Sequence, residues 1–210
     1  GDFLAHRESV GVVLSALNEL LDVPGIYVFG SNDYYAPKFK NPLSYLKKDT
    51  GERNLGQKLP IEEFDRQLQN RGWINLNNNR SLIRINGVTI DVRGTDDAHL
   101  ELDEYEKVAG KKIGELSIGV THAPYSRVLN AMAKDGIDVI FAGHTHGGQM
   151  CLPGGIPVTL NCVLPRAMAN GSFTHHDMIG YTSAGAGVCI VPTRFNCPPE
   201  ITLHHFHASG

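Results

Sequence analysis

Three short apolar runs in this chain each stop at a polar cluster able to bind metal, and that repeated arrangement restricts the fold more than any other feature. Ile26-Tyr27-Val28-Phe29 runs into Gly30-Ser31-Asn32-Asp33, Leu116 to Val120 into Thr121-His122, and Asp138 to Phe141 into Gly143-His144-Thr145-His146. Apolar runs of this length between turn formers read as buried strands. Ligands at strand ends are held by a rigid sheet while their tips meet in one crevice, the usual place for a site in an open α/β architecture. Two imidazoles straight after a buried strand cannot both enter an apolar core without unpaired nitrogens. The pattern predicts a site rather than a core.

The rest of the chain supplies the frame. Val10, Val13, Leu14, Leu17, Leu20 and Leu21 form one stripe of a helix predicted over Ala5 to Asp22, which Pro24-Gly25 ends. A second helix is predicted over Ile61 to Asn70, followed by strands from Trp73. Asn86-Gly87 between Leu82-Ile83-Arg84-Ile85 and Val88 to Val92 is a strong hairpin signal. A helix over Tyr125 to Lys134 separates two of the metal-bearing strands. Beyond Gly143, strands are expected near Pro157-Leu160, Ile179-Thr182, Val188-Val191 and Glu200-Phe206. Helices that alternate with strands in one part, and strands that run consecutively in another, predict packed sheets with helices outside.

Composition excludes several classes. The chain has 210 residues, 41% of them hydrophobic, enough for one substantial core. A net charge of -3 argues against a nucleic-acid binder, although bound cations would still let an anionic substrate approach. Cys151, Cys162, Cys189 and Cys197 form no C-x-x-C pair and read as ordinary reduced residues. The segment from Ala36 to Pro60 lacks periodicity and carries Lys38, Lys40, Lys47, Lys48, Arg53 and Lys58. It is either a solvated excursion or a flap over an anionic substrate.

At the motif level the chain resembles the calcineurin-like metallophosphoesterases. Gly143-His144-Thr145-His146-Gly147-Gly148-Gln149, with Leu152-Pro153-Gly154 after it, is similar to the last motif of the bacterial branch of YkuE- and YaeI-like phosphodiesterases. Val120-Thr121-His122-Ala123-Pro124 resembles the preceding histidine motif, Gly1-Asp2 the end of a G-D motif, and Pro192 to Glu200 a closing segment. The resemblance implies a four-layer α/β sandwich, two packed mixed sheets flanked by helices, formed by residues 1–210 as a single domain that lacks its first strand or strands. It also implies two divalent ions of Mn, Zn or Fe. Asp2 would bridge them, His146 would serve the first ion, and His144, His122 and Asn32 the second. A hydroxide shared by the ions would attack phosphorus in line.

Two departures qualify that expectation. The family's D-x-H motif does not occur at the start of this chain, which begins at Gly1 and reads as part of a longer protein; any membrane anchor is expected upstream. Gly30-Ser31-Asn32-Asp33 stands where the family has G-N-H-D, so Asn32 and Asp33 take the catalytic positions there. A gapless match puts Ser31 at the ligand asparagine, whereas a one-residue shift gives that role to Asn32, the better donor. In either register no imidazole is present to protonate a leaving group. The expected function is phosphoester hydrolysis, phosphodiesters above monoesters, on a small phosphoester or lipid head group, in the cytoplasm or at the membrane of a bacterium. The alternative is a non-catalytic scaffold of the same fold. Arg127 is a weak candidate for holding the substrate phosphate, as are Lys38 and Lys40. Asp96 or Asp97 would either orient a histidine or cap a turn. His6 reads as a cap or surface residue, with reach of the metal region as the alternative, and His175-His176 and His204-His205-x-His207 read as exposed strand or loop ends, with metal-binding tracts as the alternative.

Overall fold

A computed structural model describes residues 1–38, 55–158, 160, 164–188 and 193–207. Most of the basic segment, including Lys40, lies outside the described residues, as does most of the strand expected at Val188-Val191. Six strands form one mixed sheet in the order β3-β4-β5-β6-β10-β9: β3 (Asn79–Ile85), β4 (Val88–Gly94), β5 (Leu116–Val120), β6 (Val139–Ala142), β10 (Met178–Thr182) and β9 (Gly171–His175). Its four central strands run parallel, and each edge strand returns antiparallel. A second, parallel pair joins β1 (Ile26–Tyr27) to β2 (Ile74–Asn75), and a small antiparallel pair joins β7 (Cys151–Leu152) to β8 (Ile156–Pro157).

Alternation along the strands sorts side chains into layers. Tyr27 and Phe29 point one way and pack with Val10 of α1 (Ser9–Ala16) and Ile61, Phe64 and Leu68 of α3 (Ile61–Asn70). Ile26 and Val28 point the other way. They meet Ile90 and Val92 of β4 and Ile118 and Val120 of β5, so the small pair stacks on the large sheet. The far face of that sheet offers Ile140 and Met178 to Val128, Leu129 and Met132 of α4 (Ser126–Lys134). Each fully buried aliphatic or aromatic side chain at these seams contributes roughly 1.5–3 kcal/mol. The order is helix, sheet, sheet, helix, which is the architecture expected from the resemblance.

Local sequence explains most boundaries. The β3–β4 hairpin turns through Asn86 (φ 51°) and Gly87 (φ 85°), both left-handed as a type I′ turn requires. The N-terminal helix is shorter than its stripe predicts. It stops at Ala16, and a 3₁₀ turn covers Leu20–Asp22. Asn18, just past the stop, is a weak helix former whose carbonyl and side-chain oxygens accept from Arg71, and Leu21 reaches the core through the 3₁₀ turn. Glu200–Phe206 forms no strand either. Its alternation is real, because His204 packs on Phe141 and Tyr181 while Ile201 and Leu203 face solvent at 93% and 80% exposure. The neighbouring β10 already pairs with β6 and β9 on its two sides, leaving no ladder to join. Strand β9 escaped the sequence reading because a single Phe in Gly171–His175 gives almost no periodic signal.

Candidate metal centre

Parallel pairing of β5 with β6 sets Val120 beside Phe141, so the two strands end side by side. His122 and His144 emerge there, tied by the Gly143 N–H donating to the His122 carbonyl at 2.9 Å. From the opposing layer, the chain beyond β1 enters α2 (Ser31–Tyr34) and brings Asn32 to the same end. The Asn32 backbone N–H and side-chain amide donate to the two oxygens of Asp2 at 2.8 and 2.9 Å. Asp33 faces the other way. Its carboxylate accepts the backbone N–H groups of Asp2, Leu4 and Gly30 at 2.7–2.9 Å, and so fastens the start of the chain to the end of β1.

Asp2, His122 and His144 form the tightest group. One donor atom from each lies within 4.8 Å of the others. His122 Nε2 is 3.3 Å from Asp2 Oδ2 and 3.3 Å from His144 Nδ1. The histidines are buried, at 3% and 9% exposure. Burial opposes ionisation of Asp2, yet the two imidazoles reverse this and hold its carboxyl far below the usual range. Burial also disfavours charging His122, and the Asp2 carboxylate overcomes it and raises that pKa. Only one proton fits between two ring nitrogens 3.3 Å apart, whereas a cation accepts lone pairs from both. Imidazole nitrogens with a carboxylate suit Zn, Mn or Fe. Among the described residues, His122 Nδ1 and Asp97 Oδ2 are buried without a hydrogen-bond partner, an arrangement common near functional charge and costly elsewhere. The donor set fits a metal.

Space for these ligands is a backbone matter. A Cβ on Gly30 would sit 2.3 Å from Asp2 Oδ1 and 2.6 Å from His122 Nε2. His144, His146 and Gln149 all adopt left-handed φ of 50–66° without being glycine. Each such residue costs on the order of 1 kcal/mol, and strain of this kind concentrates at functional sites. The loop is held from below. Cys197 Sγ and Arg194 donate to the His146 carbonyl, and Cys151 Sγ to that of Gly147. Both of these thiols are free and buried; Cys162 and Cys189 lie outside the described residues.

A cavity of about 990 Å³ opens over the cluster, lined by Asp2, Asn32, Lys38, His122, His144 and His146 among others. His146 therefore faces the same space, though it is not in the close trio. Burial lowers its pKa, Asp2 opposes that, and Arg194 adds to it. Arg127 is elsewhere. It pairs with Asp103 through two nitrogens, donates to the Ala98 carbonyl and lies 5.0 Å over the Tyr125 ring. Asp96 accepts from Tyr34 Oη, and Asp97 Oδ1 accepts the backbone N–H of His99. His205 and His207 are exposed, and His175 lies 2.7 Å from Asn130. His99 went unnoticed in the sequence. Its one available signal was position, since it follows the end of β4 as the ligands follow β1, β5 and β6.

Residues 1–148 match the sequence profile of a family described as calcineurin-like phosphoesterase. The chain is 36% identical over 131 residues to the uncharacterized protein YpbG of Bacillus subtilis, covering 61% of this chain and 40% of that protein. It is 27% identical over 209 residues to the uncharacterized metallophosphoesterase YkoQ of the same organism, covering 97% of this chain and 69% of that one. YkuE, another uncharacterized metallophosphoesterase of B. subtilis, is 27% identical over 128 residues, 60% of this chain and 44% of its own length. The matched stretch thus spans less than half the length of YpbG and YkuE. No solved structure matches it significantly. Among the described residues, no helix is long and apolar enough to cross a membrane.

Proposed function

This chain belongs to the calcineurin-like phosphoesterase family, and on that premise we propose that it hydrolyses phosphoesters, phosphodiesters in particular, with two divalent ions around Asp2. The observation that carries the reading is the convergence of Asp2, His122 and His144 at adjoining strand ends. Such ions supply Lewis-acid charge for the phosphoryl oxygens and a hydroxide nucleophile at neutral pH. Asp2 would reach both positions, with His122, His144 and the Asn32 side-chain oxygen at one and His146 at the other. For Asn32 to ligate, its amide turns so that oxygen rather than nitrogen faces the ion.

The residues also indicate what the reaction must do without. Asn32 exchanges no proton near neutral pH, so nothing at that position protonates a departing oxygen. Leaving groups of low pKa are therefore favoured, and aryl diesters should turn over faster than alkyl diesters. Lys38, at the cavity wall, adds positive charge for an anionic substrate.

Metal analysis together with hydrolysis of bis-p-nitrophenyl phosphate by the full-length protein tests this. Two bound ions are expected, and His144→Ala should lower kcat/KM by about a hundredfold or more. Unchanged turnover in that variant would sink the site assignment. No turnover with at most one bound ion would favour the scaffold reading, for which the absence of a histidine from Gly30-Ser31-Asn32-Asp33 is the specific observation.

A further inference from the structure

We infer that His99 is a positioning residue for His144: its ring, fixed from behind by Tyr125, backs the His144 imidazole and sets its direction toward Asp2 and His122. The inference rests on the metal-site reading above and adds a residue to it.

His144 cannot be held by its backbone alone. Its φ of 66° lies in a region that non-glycine residues occupy at a cost, and it stands in a loop between β6 and a single 3₁₀ turn. A side chain on such a backbone keeps one direction only where neighbours close off the alternatives. Two rings do so here. His122 meets His144 edge-on, with centroids 5.2 Å apart and planes at 80°. His99 packs closer, at 4.7 Å with planes at 42°.

His99 is itself held at both ends. Its backbone N–H donates to Asp97 Oδ1 at 2.9 Å, and its Nδ1 lies 3.0 Å from Tyr125 Oη. Tyr125 in turn carries the Arg127 guanidinium over its ring, and Arg127 is locked to Asp103 and the Ala98 carbonyl. The chain of contacts runs from the β4–β5 connection through the start of α4 to His144. His99 is 6% exposed and is not among the residues lining the cavity, so it acts through His144 and not on a substrate. Arg127 thereby acquires a task different from the phosphate contact expected of it.

The test is Co²⁺ binding by the full-length protein, read by titration calorimetry and by the visible d–d spectrum. His99→Ala removes the packing ring, while His99→Phe keeps a ring and removes its nitrogens. We expect His99→Ala to weaken Co²⁺ binding about tenfold or more and to change the spectrum, because loosened ligand support typically costs 10–100-fold in affinity. His99→Phe keeps the ring but gives up the contact with Tyr125, so it should lose less than His99→Ala, about three- to tenfold, with a smaller spectral change. Parent-like binding and spectrum in His99→Ala would overturn the inference, and so would a loss in His99→Phe as large as that in His99→Ala. Should His99→Ala fail to fold, parent-like binding and spectrum in His99→Phe overturn the inference. A parent protein that binds no Co²⁺ sinks the metal-site reading and this inference together, whereas parent binding with an indifferent His99→Ala sinks only this one.

Discussion

Two carboxylates of this molecule, the buried Asp91 and the partly buried Asp2, sit among nitrogen donors and are treated very differently. Asp91, on β4, accepts from Arg80 Nε and Nη2, Arg93 Nη2 and the Ile113 N–H. Arg93 then reaches the carbonyls of Val108 and Gly110 and the Asp135 carboxylate. Asp2 has the Asn32 amide and two imidazoles, which carry charge only if protonated, and atoms around it are left over: His122 Nδ1 and Asp97 Oδ2. In the Asp91 network the carboxylate is saturated, and only Arg93 Nε lacks a partner. The difference separates two uses of buried polarity. A closed network of permanent charges ties elements together, whereas an open one built on titratable rings keeps converging donor atoms that a metal ion could use.

That contrast can be broken most directly at Asp91. Asp91→Ala leaves buried Arg93 with two backbone carbonyls and, among the described residues, Asp135 at 3.5 Å as its remaining carboxylate, and removing one partner of a buried pair typically costs about 3–5 kcal/mol. Urea denaturation should show a loss of that size, with metal binding at Asp2 retained. A loss as small as that of a surface change would mean the network is not the tie we describe.

The open cluster should respond to added metal. Adding Mn²⁺ or Zn²⁺ at a hundredfold excess over its Kd should stabilise the fold by about 2.7 kcal/mol, and chelation should reverse this. The gain should vanish in His122→Ala. If it persists there, the cation binds somewhere else.

A third effect, of similar size, concerns Asp97, whose carboxyl burial pushes up to about 6 while His122 opposes the shift. A carboxyl with a raised folded pKa binds its proton more firmly in the folded chain. Its stabilising contribution is full below pH about 4 and is lost as pH rises through about 6, on the order of 3 kcal/mol in the metal-free protein. Asp97→Asn should flatten stability over that window in a pH series of melts. An unchanged slope would show that Asp97 is already ionised in the folded state at low pH.

The parts of this molecule legible in the sequence were those set by local chemistry. Asn86-Gly87 demanded a hairpin, Ile61 to Asn70 carried a helical stripe, and the strand ends before Asn32, His122 and His144 announced a site. What escaped depended on neighbours. Glu200 to Phe206 alternates like a strand but finds no free edge, and β9 is a strand because β10 offers one. His99 and Arg127 could not be assigned from spacing, since their tasks arise only when the β4–β5 connection folds against α4. Asp33 is similar: beside Asn32 it reads as part of a catalytic motif, and in the fold its oxygens are spent on three backbone amides.

Gly30 carries a consequence of a different kind. It contributes no ligand, no charge and no hydrogen-bonding side chain, yet the centre exists only where its side chain would have been. A comparison scored on ligand identity would rank a homologue with alanine there as fully equipped, although it has no room for its own carboxylate and imidazole to meet. Whether a relative of this chain keeps a working centre is therefore decided as much by an absent methyl group as by any histidine.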